Sequence, residues 1–473
     1  MVDKKGNYLK ISRIICFVGI GFLLLTGCTS IKVPTAVATA ASTPTTPVEV
    51  LTATATQPAE GINIDESKLK GIQVVFMHPW SGAQADLIDQ LVAEFNQSNT
   101  WGIMIVVETP GSASALADSL NSDLDTSMAP QIIAAPIETL MALNKGDQVI
   151  VDLSPYVSST KYGFDQKIID AYVPVFWNQD DVNGYRYGIP AQRTAKVLIY
   201  NSSWANELGF TDPPATPDEF EKQVCAASSA MKKDSDVSND GLGGWVIDTD
   251  AMTMASWVKA FGGSFESNGS LDLATAQMNQ SFVYLRKLLD EGCAWVSNDP
   301  SPYNYFANRQ TLVYSADLED LSFQQSYQNI SGSKDAWSVI PFPTNGDPFI
   351  LTYGSSYAIV KSSDEKQLAA WLFIRWMSSL DHEGALVKAG TTLPLGNEFV
   401  NYSIELEDAI PQWGQVVPLL ANAQINPQDP QWTQAKMIME DAAWQLFKTD
   451  MKSDQIPALT RQMDATLKEL AGK

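Results

Sequence analysis

Histidine and cysteine are scarce in this chain of 473 residues, which has two of the first, His78 and His382, and four of the second. That scarcity removes most metal chemistry and most histidine-based acid–base catalysis from consideration. His382 is followed by Glu383, but Leu386 stands where a zinc-binding helix needs its second histidine. The glycines form neither a phosphate loop nor a dinucleotide fingerprint, and no serine-elbow sequence occurs. Positive charge is short as well: 31 Lys and Arg face 54 Asp and Glu, a formal charge of −23. Such a field repels phosphate backbones and anionic lipid, which argues against a nucleic-acid partner. After residue 25 no run is apolar enough to span a membrane.

What is present begins with Lys4, Lys5, Lys10 and Arg13, followed by an apolar run over residues 14–25 and then Thr26, Gly27 and Cys28. The order of charge, apolar run, small residue and cysteine resembles a bacterial lipoprotein signal. It implies removal of residues 1–27, lipidation of Cys28 and an extracytoplasmic chain anchored to the cell membrane. A plain export signal with an incidental cysteine is the other reading. Residues 28–70 are rich in Thr, Ala, Val and Pro and read as a disordered tether. Cys16 leaves with the signal and Cys28 takes lipid, so Cys225 and Cys293 remain in an oxidising compartment and are expected to pair. Two buried free thiols are the alternative.

The rest alternates short apolar runs with helical periodicity. Residues 72–77, 103–107 and 132–135 read as strands, and Leu87, Ile88, Leu91, Val92 and Phe95 recur at helical spacing. Alternation of this kind predicts an α/β fold with mixed, mostly parallel sheets flanked by helices. Ligands of such sheets sit beyond the carboxyl ends of the strands. That rule singles out Trp80 and Ser81 after the first strand, Glu138 after the third, and Asp248 after a later strand at 245–247.

The most specific stretch runs from Tyr187 to Phe210. Gly188 and Pro190 lead into Val197, Leu198, Ile199, Tyr200 and Asn201, then Glu207, Leu208 and Gly209, then Pro213, Pro214, Ala215 and Thr216. This order resembles the family 1 extracellular solute-binding proteins of bacterial ABC importers, the maltose-binding-protein-like group. The resemblance implies a two-lobe periplasmic-binding-protein-like fold of type II with a multi-strand hinge. It places lobe 1 at 71–192 and 337–385, and lobe 2 at 193–336 and 386–473. Hinge crossings are expected at 189–193, 337–341 and 386–393.

The function implied is capture of a carbohydrate between the lobes and delivery to an ABC permease, by a monomer without cofactor or catalysis. A secreted glycoside hydrolase using two cleft carboxylates is one alternative. A binder of another solute, such as a polyamine or a phosphodiester, is the second. A sugar ring wants an aromatic plate for its face and polar groups for its edge. Trp80, Trp257 and Tyr353 are the expected plates, with Gly354 beside the last. Arg193 and Asp317 are the expected polar partners; a salt bridge at the crossing and a helix cap are their alternative roles. Asp234, Asp236 and Asp240 begin like a calcium loop, but Ile247 replaces its terminal glutamate, and a polar surface turn is the competing reading.

Overall fold

The first sheet follows from alternation along buried strands. A computed structural model describes residues 62–472 except 124–128, 145–147, 268, 298, 300, 397 and 399–403. The export signal, Cys28 and the tether up to residue 61 lie outside the described residues. In Ile132–Ala135, Ile132 and Ala134 enter one core with Val74 and Phe76, while Ile133 and Ala135 enter another with Met77. Both faces are therefore buried, and each needs its own helical layer. Gly82–Ser98 and Asp364–Met377 supply one layer through Ile88, Leu91, Phe95, Trp371 and Phe373. Leu116 and Leu140 lie in the other. The strand order is Met104–Glu108, Gln73–Met77, Ile132–Ala135, Ser356–Ile359, Ile189–Pro190. The first three are parallel, and the last two each run antiparallel to their neighbour.

The second sheet is built around Thr194–Tyr200, buried along its whole length. Thr311–Asp317 lies antiparallel to it, and Gly243–Val246 and Ala294–Trp295 continue the sheet in parallel. Ser338–Ile340 and Ile350–Tyr353 also pair with Thr194–Tyr200, and Ala423–Ile425 closes the far edge. Leu198 and Tyr200 face a core with Phe220, Trp245 and Trp432, whereas Val197 and Ile199 face one with Tyr314 and Val339. Pro217–Lys233 starts in a capping box between Thr216 and Glu219, with Pro217 at its first position. Phe220, Val224 and Ala227 of that helix are buried, and Cys225 is joined to Cys293 by a disulfide. The architecture is thus the two-lobe α/β arrangement.

Three boundaries differ from the sequence reading, the end of the tether and two of the crossings. By composition the tether extends to residue 70, yet Glu66–Leu69 is a short 3-10 helix whose Leu69 is fully buried, with Ile62 and Ile64 packed on the same core. Isolated apolar residues in a polar stretch gave no periodicity to detect.

The second and third crossings differ as well. The chain passes between sheets at 190–194, where a strand of the first sheet precedes one of the second. It returns at 353–356, not at 337–341: Ser338, Val339 and Ile340 pair with Tyr200, Ile199 and Leu198 inside the second sheet. A short apolar run does not reveal which sheet it joins. Gly354 marks the true crossing, because its φ of +153° is a conformation that L side chains rarely adopt and a Cβ there would lie 2.1 Å from the Gln192 carbonyl oxygen. The third passage runs beside the first, with Leu393 N–H donating to the Arg193 carbonyl at 2.8 Å. It begins after Leu380–Gly390, a helix packed on Gly82–Ser98, so residues 386–390 belong with lobe 1.

Candidate functional site

Beyond the carboxyl ends of Gly243–Val246, Ala294–Trp295 and Thr311–Asp317 lies a cleft of about 690 Å³. The parallel strands end there together and present Ile247, Asp248, Val296 and Ser297. Lys196 occupies its floor. The first residues of strand Thr194–Tyr200 emerge from the crossing, so a lysine on this strand reaches the cleft from a buried backbone. Its Nζ lies 3.1 Å from Asp317, 3.4 Å from Asp250 and 3.8 Å from Asp248. Burial works against its charge, but the three carboxylates override that and hold its pKa above the ordinary lysine value.

Each carboxylate is fixed by more than the lysine. Asp248 accepts from Thr253 Oγ1. Asp250 accepts from the Met252 and Thr253 amides and so caps Ala251–Ala260. Asp317 accepts from the Tyr353 hydroxyl, and Asp320 accepts from the Asp317 amide at 2.9 Å and the Tyr303 hydroxyl at 2.6 Å. Burial raises the pKa values of Asp248 and Asp317, with Lys196 opposing it in both. The arrangement is a preorganised set of acceptors around one ammonium. Trp444, 58 % exposed on Trp432–Leu446, and Tyr303 stand at the cleft wall as aromatic surfaces.

Of the residues singled out from sequence, Asp248, Asp317 and Tyr353 meet at this site. The others are elsewhere. Trp257 is fully buried among Phe220, Trp245, Tyr284 and Phe342 and is a core residue, not a plate. Its helix has almost no polar face, so nothing turns the indole outward. Trp80 is likewise buried, between His78 and Tyr357. Ser81 is the exposed N-cap of Gly82–Ser98, with no side-chain capping bond.

Arg193 is buried inside the hinge. It donates to the carbonyls of Gln192 and Ser355 and to Ser356 Oγ, and lies 3.4 Å from Asp180. Its role is to tie two crossings together. Glu138 is buried and ion-paired with Lys436 at 2.7 Å. Asp234 accepts from the Asp236 amide and Asn239 Nδ2, Asp236 from the Ser238 amide and hydroxyl, and Asp240 is exposed, so the acidic stretch is a self-bonded surface turn. Among the described residues one group of close metal-donor side chains occurs, Cys225, Glu291 and Cys293, and its two thiols are consumed by the disulfide.

Lys196, Ser315, Tyr303 and Trp444 escaped the sequence reading. A lysine inside an otherwise apolar buried strand was the available signal for the first. For Trp444 it was an indole off the stripe of Trp432, Ala435, Met439 and Leu446.

The family described as bacterial extracellular solute-binding protein matches residues 90–401. Among solved structures, the cyclic α-maltosyl-1,6-maltose binding protein of Arthrobacter globiformis superposes with a TM-score of 0.69 at 17% identity, covering 84% of this chain and 99% of that one. The sugar-binding protein MalE of Xanthomonas citri gives 0.70 at 19% identity, covering 84% and 98%. UgpB of Mycobacterium tuberculosis, solved with glycerophosphocholine, gives 0.68 at 15% identity, covering 85% and 99%. At these identities the likeness is one of fold.

Proposed function

This chain belongs to the bacterial extracellular solute-binding proteins, and from that premise we propose that it captures a carbohydrate in the Lys196 cleft and delivers it to an ABC importer. The observation that carries the reading is the Lys196–Asp248–Asp250–Asp317 cluster beside exposed Trp444. Fixed charged acceptors and a donor suit the hydroxyl edge of a sugar, and an indole suits its C–H face. Several structural relatives are described as binding maltose, maltodextrins or related glucans, which supports the same class.

Capture works through the hinge. Three adjacent crossings, two of them tied by the Arg193 side chain, let the lobes close over a solute, and contacts to both lobes favour the closed form. Catalysis is not part of this reading, because Asp248, Asp250 and Asp317 all converge on one lysine instead of flanking a bond as acid and nucleophile. Cys28 is the lipid anchor in this scheme, residues 29–61 hold the domain off the membrane, and the protein acts as a monomer. Calorimetry with mono- to tetrasaccharides tests it. Saturable one-to-one binding without release of shorter sugars is expected; hydrolysis would favour the glycosidase alternative, and heat only with glycerophosphocholine or spermidine would favour the non-sugar one.

A further inference from the structure

We infer that the solute of this cleft carries a protonated amine in addition to its hydroxyls, as an amino sugar or cationic oligosaccharide does. The inference rests on the carbohydrate reading above and narrows it. Lys196 meets three carboxylates within 3.8 Å, and Asp320 adds a fourth at the same wall. The remaining rim charges, Lys448 and Asp299, are exposed and offset each other. The floor therefore holds more negative charge than its own lysine balances. A neutral solute closing over it strips water from those carboxylates and returns, through its hydroxyls, only part of the lost stabilisation. An ammonium replaces it with charge-assisted hydrogen bonds.

A second, independent feature points to an occupant. Ser315 lines the cleft at 8 % exposure, and its Oγ has no hydrogen-bond partner among the described residues. A buried hydroxyl without a partner is costly unless a ligand group completes it. Beside it, Trp444 and Tyr303 offer ring faces that attract a cation as readily as they stack on a sugar.

The test uses the mature chain and four probes in calorimetry: the glucosamine trimer, its N-acetylated counterpart, maltotriose and spermidine. The glucosamine trimer is expected to bind about tenfold more tightly than the acetylated trimer, in which a neutral acetamide replaces each ammonium, and than uncharged maltotriose. The advantage should shrink between about 0.02 M and 0.5 M salt. It should also shrink in Asp250→Asn, in which asparagine still caps Ala251–Ala260 and the melting temperature should hold. Equal or tighter binding of the acetylated trimer or maltotriose overturns the inference and leaves the carbohydrate reading standing. Binding of spermidine with no saccharide overturns the carbohydrate reading and this inference with it. An advantage that persists unchanged in Asp250→Asn at every salt concentration also overturns the inference.

Discussion

Lys436 of the second lobe and Glu138 of the first are ion-paired at 2.7 Å, with the Glu138 side chain 2 % exposed and that of Lys436 27 % exposed. The pair joins Trp432–Leu446 to Ile137–Leu143, the helix that follows the third strand of the first sheet. It is a contact between lobes that owes nothing to the hinge strands.

Removing Lys436 leaves a buried carboxylate without a partner. Lys436→Met should therefore cost on the order of 1–3 kcal/mol, less than a fully buried pair because the lysine is partly solvated. The cost should appear as separation of the lobes: a larger radius of gyration in small-angle scattering without ligand. Adding Glu138→Gln should recover part of it. Identical scattering curves for wild type and Lys436→Met would remove the pair from any account of closure.

The tryptophans make a paired prediction. Trp444→Ala should leave the melting temperature nearly unchanged and weaken saccharide binding by about ten- to hundredfold, the loss of one stacking surface worth roughly 1.4–2.7 kcal/mol. Trp257→Ala should do the reverse, costing roughly 3–5 kcal/mol of stability while its folded fraction binds normally. Melting curves and titrations of both variants separate a cleft wall from a core.

The Cys225–Cys293 disulfide spans a sequence separation of 68 residues. In the chain-entropy account a loop of that length stabilises the fold by roughly 4 kcal/mol. Cys225→Ser with Cys293→Ser should lower the melting temperature by several degrees, and reductant should lower that of the wild type but not of the double variant.

The fold was legible in the sequence because strands and helices announce themselves through period. Ile132–Ala135 alternates between two cores, and Thr216, Pro217 and Glu219 spell out a helix start. The site was legible only in part. Asp248 was found because the strand-end rule located it, Tyr353 because an aromatic stands there beside a glycine, and Asp317 as a polar partner for a sugar's hydroxyls. Trp257 was misread because a strand-end rule says where a helix begins and not which way its indole turns. The packing of Ala251–Ala260, nearly all of it buried, decides that. The crossing at 353–356 was missed for a related reason: pairing partners are long-range, and Ser338–Ile340 carries no local mark of the sheet it joins.

Glu319 gives the last prediction, and its sign can be worked out. Its carboxylate accepts from Gln192 Nε2 at 2.9 Å and Thr194 Oγ1 at 2.6 Å, beside the first crossing. Burial, and then the neighbouring Asp317 carboxylate, push its pKa up to about 8 from an ordinary 4.5. Between those values the folded chain keeps a proton that the unfolded chain has released. Stability from this group is therefore full below about 4.5 and is lost as pH rises to about 8. His78, whose ring nitrogens have no partner among the described residues, acts in a different window: burial lowers its pKa to about 4, so it destabilises the fold only as pH falls below its ordinary 6.5. Glu319→Gln keeps an acceptor oxygen and cannot ionise. The variant should lose the decline in melting temperature between pH 6.5 and 8, by on the order of 2–4 °C relative to wild type. Below pH 5 the two proteins should converge. Parallel curves across the whole range would mean that Glu319 stays ionised where it sits, and that the crossing is held by a charge instead of a neutral acid.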